Sequence, residues 1–204
     1  MTIYNKNTYK KRVHVMIYIY SKLFKEAQII NIYHALLKHF PKNVAKQFYQ
    51  DIKTEIDQFN ANISFENISL QGMARDGQLI FSTRILNSSP SYLIATIFHE
   101  LAHLYQYRKY GRDFVLHLYT DDQSKIKENA QFLKKVENTA DRFAAAKTAF
   151  YAKKYNFEFN YPMFYKRCLD SYFENHLSRI KSIVKQNKFT TIDEINDCIY
   201  NMFR

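Results

Sequence analysis

Ser88-Ser89-Pro90-Ser91-Tyr92-Leu93-Ile94-Ala95-Thr96-Ile97-Phe98-His99-Glu100-Leu101-Ala102-His103-Leu104 is the stretch on which the reading of this chain turns. It opens as a helix. A serine hydroxyl stands at the N-cap, and Pro90 takes the first helical position, where a missing N–H breaks no bond. Ile94, Ile97, Phe98 and Leu101 then recur at helical spacing as a buried stripe, and Gly111 is placed to end the helix. Inside it lies His99-Glu100-Leu101-Ala102-His103. Two histidines at i and i+4 leave one face of a helix close enough for both imidazoles to ligate one metal ion. Glu100 is rotated by about 100° from His99, so it can stand beside the metal without binding it and take a proton from a metal-held water. Zinc suits this donor set, because it brings such a water's pKa down to about 7.

A catalytic zinc ion takes three protein ligands, so a third is required. Working outward, residues 125–154 form a second long helical pattern that carries Glu137-Asn138-Thr139-Ala140-Asp141. Glu137 and Asp141 are again i and i+4 and face the same way. Glu137 is the candidate third ligand. Asp141 would accept the free ring N–H of a ligand histidine and so fix its tautomer. Ala140 and Ala144 would let the two helices approach.

The rest of the chain supplies a frame. Residues 21–39 and 44–59 read as amphipathic helices separated by Pro41. Ile63 to Leu70 and Gln78 to Leu86 read as a pair of strands joined by the turn Gly72-Met73-Ala74-Arg75-Asp76-Gly77. Pro162 starts a helix to about Lys185, and Thr190-Thr191-Ile192-Asp193-Glu194 opens a short last one with a hydroxyl cap and acids in its first turn. With no linker or repeat, the expectation is one domain over 1–204: helices in 21–60, sheet and histidine helix in 62–110, the Glu137 helix in 125–155, and helices in 162–203. The fold class expected is α+β, mostly helical, with a small sheet beside the histidine helix.

Composition agrees. Only 3 Gly and 3 Pro in 204 residues disfavour turn-dense β architectures, and 47% hydrophobic residues exclude a disordered chain. Two cysteines, Cys168 and Cys198, are too few for a disulfide scaffold and read as free thiols. Val13 to Tyr20 follows Lys10-Lys11-Arg12, yet it is short, holds His14 and lacks a small-x-small cleavage site. Nothing reaches the ~18–20 apolar residues of a membrane span. The expectation is a soluble protein made in the cytoplasm, with export lacking a cleaved signal left open. The formal charge of +11 points to acidic partners. Its lysines and arginines are scattered, however, which disfavours nucleic acid as the main partner. His14, His34 and His39 have no partner pattern and read as structural.

His99-Glu100-Leu101-Ala102-His103 followed by Glu137-x-x-Ala140-Asp141-x-Phe143-Ala144 resembles the gluzincin metallopeptidases. It is most similar to small members such as the ImmA/IrrE group, and the Glu-x-x-Ala-Asp element is shared with HtpX-type peptidases. The resemblance implies a zincin-like domain that hydrolyses a protein or peptide substrate with one zinc ion. His99, His103 and Glu137 would be the ligands, Glu100 the general base and Asp141 the residue orienting a ligand. It also implies that the strand before the helix, Leu79 to Ile85, is the edge on which a peptide lies extended. A second resemblance stays open. Leu101-Ala102-His103-Leu104 with Tyr110-Gly111-Arg112 and His117 is similar to SprT-like zinc proteases, in which His117 would be the third ligand and the substrate a DNA-associated protein. A non-catalytic module that keeps the metal as a clasp is the other alternative. A peptidase also needs a donor for the developing oxyanion. His176, Arg179, Tyr155 and Tyr172 lie downstream, and His176, one turn from Arg179, is the candidate.

Overall fold

Local preferences set most of the elements. The computed structural model describes residues 23–75, 77–111, 126–160, 162–164, 171–187 and 189–203. Helix α1 (23–36) turns at 37–40 into α2 (Lys42–Gln58). Three short strands follow: β1 (Asn62–Glu66), β2 (Gly72–Arg75) and β3 (Gln78–Ser82). A 3₁₀ turn, Thr83–Asn87, leads into α3 (Pro90–Tyr110), and then come α4 (Ile126–Tyr155), α5 (Ser171–Gln186) and α6 (Ile192–Phe203). The result is α+β and mostly helical. Among the described residues no helix is long and apolar enough to cross a membrane.

The caps match the sequence. Ser89 Oγ accepts from the Tyr92 N–H, Pro90 is the first residue of α3, and Gly111 ends it at φ 86°. At α6, Thr191 Oγ1 accepts from Glu194 N at 3.2 Å, while Glu194 Oε2 accepts from Thr191 N at 3.2 Å and also from Thr190 N at 2.9 Å. That reciprocal pair is a capping box, and its backbone donors hold the Glu194 carboxyl below its usual range.

The sheet corrects the sequence reading. Met73 and Ala74 do not turn; with Gly72 and Arg75 they form β2, antiparallel to β3, and Arg75 pairs with Gln78. Only two positions, Asp76-Gly77 in the sequence, separate the paired residues Arg75 and Gln78, and Gly77 is at φ 81°. Asp-Gly is a strong hairpin signal, and a six-residue turn concealed it. β1 pairs with β3 in parallel rather than as its hairpin partner, giving the order β1-β3-β2. β3 is therefore central. The expectation that the strand before the helix is the edge fails, because its second side is filled by β2. Among the described residues the open edge on this side belongs to β2.

α3 is the hub. Leu93, Ala95, Thr96 and Leu104 are buried along with the stripe expected, so every face of its middle is covered. A helix apolar or buried all round belongs at the centre of a fold. On one side lies β2, and on another α4, where Ala140, Ala144 and Ala145 are fully buried and let the backbones approach. Phe48 of α2 stacks on Tyr155 (4.1 Å between centroids) and Tyr151 (5.2 Å) of α4, and Phe98 of α3 stacks on Tyr151 from the other side (5.5 Å). The tyrosine hydroxyls meet acids of α2: Tyr151 donates to Glu55 Oε1 (3.1 Å) and Tyr155 to Asp51 Oδ2 (2.5 Å). Lys147 and Lys154 pair with the same two carboxylates. Burial, then these acids, pushes both phenols above their usual range. Part of the basic excess is thus bound in an intramolecular seam.

A buried amide and two further contacts complete the frame. Asn196 of α6 donates to the carbonyls of Ala152 (2.9 Å) and Phe157 (3.1 Å), closing the end of α4. Ser91 Oγ accepts from Asn160 N at 2.9 Å, fixing the segment after α4 to the start of α3. His39, exposed, meets the Ser88 carbonyl at 3.1 Å.

Candidate metal centre

His99 and His103 leave α3 on the face that meets α4, and Glu137 comes from α4. His99 Nε2 and His103 Nε2 are 3.0 Å apart. Glu137 Oε2 stands 3.3 Å from the first and Oε1 3.6 Å from the second. Both histidines are buried, and Glu137 is three-quarters covered. The three side chains are placed to hold one metal ion.

The far sides of the rings decide what faces inward. Asp141 Oδ1 lies 2.8 Å from His99 Nδ1. A carboxylate accepts, so His99 carries its proton on Nδ1 and presents a lone pair at Nε2. On His103, Nδ1 meets Gln106 Oε1 at 2.7 Å, and Gln106 Nε2 donates to the Val136 carbonyl at 2.9 Å. That carbonyl can only accept, which fixes the Gln106 amide and, through it, the His103 tautomer. The lone pair is again at Nε2. Two imidazole lone pairs and a carboxylate therefore converge, an arrangement that calls for a cation between them. Donor atoms about 2 Å from a tetrahedral zinc ion stand roughly 3.3 Å apart, and the observed spacings bracket this value. Burial alone would raise the Glu137 carboxyl; when the His103 and His99 rings are protonated, their hydrogen bonds and charge outweigh it and hold the group far below the usual carboxylate range.

Glu100 is buried beside His99 under the first residue of β2. A Cβ on Gly72 would fall 2.9 Å from Glu100 Cγ, 3.1 Å from Glu100 Oε1 and 3.0 Å from the fully buried Phe81 ring. Gly72 is thus required by close approach, not by backbone conformation. Gly72→Ala is expected to destabilise the fold by about 1–3 kcal/mol through overpacking, lowering the melting temperature by several degrees, while metal content is unchanged. Thermal unfolding with metal analysis checks this. An unchanged melting temperature would mean that β2 yields freely.

The structure brings His99, Glu100, His103, Glu137 and Asp141 together. It adds Gln106, which sequence reasoning missed. Its signal was present as a glutamine at i+3 from His103, on the same helix face. His176 lies elsewhere in the contacts observed: it is half-buried on α5 with its ring edge-on to Phe203 at 5.4 Å. Arg179 is exposed on the same helix, and Tyr155 is held by Asp51 in the α2–α4 seam. The side chain of Tyr172, and residues His14, His117 and Cys168, lie outside what is described. Cys198 is a free thiol. Comparison of the chain with protein-family models, with curated proteins and with solved structures returned no match.

Proposed function

We propose that this chain is a zinc-dependent endopeptidase with a zincin-like arrangement. One observation carries the reading. A three-donor metal site with both histidine tautomers fixed adjoins a buried carboxylate, Glu100, which a purely structural metal clasp does not need. A zinc ion held by His99, His103 and Glu137 would supply Lewis acidity towards a water molecule and a carbonyl oxygen. The residues do the rest. Asp141 and Gln106 keep the protons on the outer ring nitrogens and the lone pairs inward. Glu100 takes the proton of the attacking water on a carboxylate oxygen and later hands it to the leaving amine nitrogen. β2 covers Glu100 and limits access of bulk water to it.

The substrate strand is assigned to β2 instead of β3. The outer N–H and C=O groups of an edge strand pair with an extended peptide, and Gly72 of this edge touches Glu100. A peptide paired along Gly72–Arg75 would pass the general base. The partner is accordingly a protein or peptide in extended form.

The test uses the full chain, freed of metal by chelation and reloaded with zinc, against a mixture of unstructured peptides read by mass spectrometry. One zinc ion per chain and new peptide termini, lost on chelation and regained with zinc, are expected. One zinc ion per chain with no cleavage of any peptide would leave a metal-containing binding module in place of an enzyme.

A further inference from the structure

A groove behind the metal centre suits a ligand of its own. It lies between the C-terminal part of α3 and the first turns of α4, with a volume of about 370 Å³, and Gln106, Tyr110, Phe132, Lys135, Asn138 and Arg142 line it. That is within the range of small-molecule sites. Its chemistry is divided. Tyr110 and Phe132, edge to face at 6.1 Å, make an aromatic wall. Lys135 and Arg142, two turns apart on the exposed side of α4, add two positive charges to the lining. Asn138 lies between them in sequence and is 91% buried, and its Oδ1 is shut from solvent with no hydrogen-bond partner. Buried polar atoms without partners are rare and call for an explanation. The terminal torsion of asparagine is broad, so this oxygen can turn to a donor placed in the groove.

We propose that the groove binds a small carboxylate that carries an N–H group next to the carboxyl and an apolar side chain, the chemistry of an acylated amino acid or a peptide carboxyl terminus. The carboxylate pairs with Lys135 and Arg142, the N–H meets Asn138 Oδ1, and the side chain lies on Tyr110 and Phe132. This ligand is coupled to the metal centre through one residue. Gln106 lines the groove and also holds His103 Nδ1, so a ligand seated against it that strengthens its bond to the Val136 carbonyl favours the imidazole orientation that metal binding needs. Thermodynamic reciprocity then requires metal to strengthen ligand binding by the same factor. The site stands whether or not the chain hydrolyses peptides.

The test is a titration of the full chain, metal-free and zinc-loaded, with N-acetylphenylalanine, followed by chemical shifts and calorimetry. Saturable binding with a Kd of about 1 mM or tighter is expected, centred on the groove residues. The N-acetylphenylalanine amide, which lacks the charge, and 3-phenylpropionate, which lacks the N–H, should each bind at least about 10-fold more weakly. Lys135→Gln and Arg142→Gln should weaken binding similarly while the chain still takes up zinc. Two variants are used because Arg142 also sits over the Phe173 ring. A short peptide ending in phenylalanine distinguishes the sources, since tighter binding than the acylated amino acid assigns the groove to peptide ends and equal binding assigns it to the small molecule. Zinc affinity should rise about 5-fold or more at saturating N-acetylphenylalanine. No saturable binding, or equal binding of the three compounds, overturns the site. Binding that leaves zinc affinity unchanged overturns the coupling through Gln106.

Discussion

Glu100→Gln is expected to keep one zinc ion per chain and to lose peptide hydrolysis by about 10²–10⁴-fold, the range over which a positioned general base acts. The substitution preserves shape in a place that has little room, under Gly72. It removes only the ability to carry a proton. The metal ligands are untouched, so zinc stoichiometry and melting temperature should match the parent chain. Undiminished cleavage by this variant would remove Glu100 from the mechanism, and a parallel loss of zinc would show that the residue holds the site together instead of doing chemistry in it.

Glu137→Ala should abolish tight zinc binding, while His117→Ala should leave it intact. The carboxylate faces two imidazole lone pairs, and without it two neutral donors remain from a single helix. Gln106→Ala is expected to weaken zinc by roughly 10–100-fold, the usual effect of losing the partner that orients a ligand histidine. A clear readout is the stabilisation that zinc confers, about 2.7 kcal/mol at one hundred times its Kd, which is a rise of several degrees in melting temperature for a chain of this size. The parent and His117→Ala should show that rise, and Glu137→Ala none. Loss of zinc in His117→Ala alone would transfer the third ligand to His117 and favour the SprT-like assignment.

The residues that meet at the candidate metal centre were legible because each half of the site is local. His99 with His103, and Glu137 with Asp141, are each one helical turn apart, and helical geometry alone aligns such pairs. The caps at Ser89, Pro90 and Gly111, and the box at Thr191 and Glu194, were legible for the same reason. What failed was non-local or overly coarse. The Asp-Gly turn was present in the sequence but was absorbed into a longer loop, and so β2 was missed. With 17 tyrosines and 17 phenylalanines in the chain, no spacing could show that Tyr155 belongs to Asp51 or that His176 packs on Phe203.

The opening stretch, Ser88 to Leu104, thus determined by itself that a capped helix presents two histidines and a glutamate in fixed angular order, because those relations are set within a few residues of backbone. Only the tertiary structure decided that Glu137 reaches both Nε2 atoms, that Gln106 and Asp141 set the two tautomers, and that β2 instead of β3 is the edge over Glu100. Each of these depends on how α4 and the sheet pack against α3, and packing between segments tens of residues apart is governed by shape and burial rather than by local spacing.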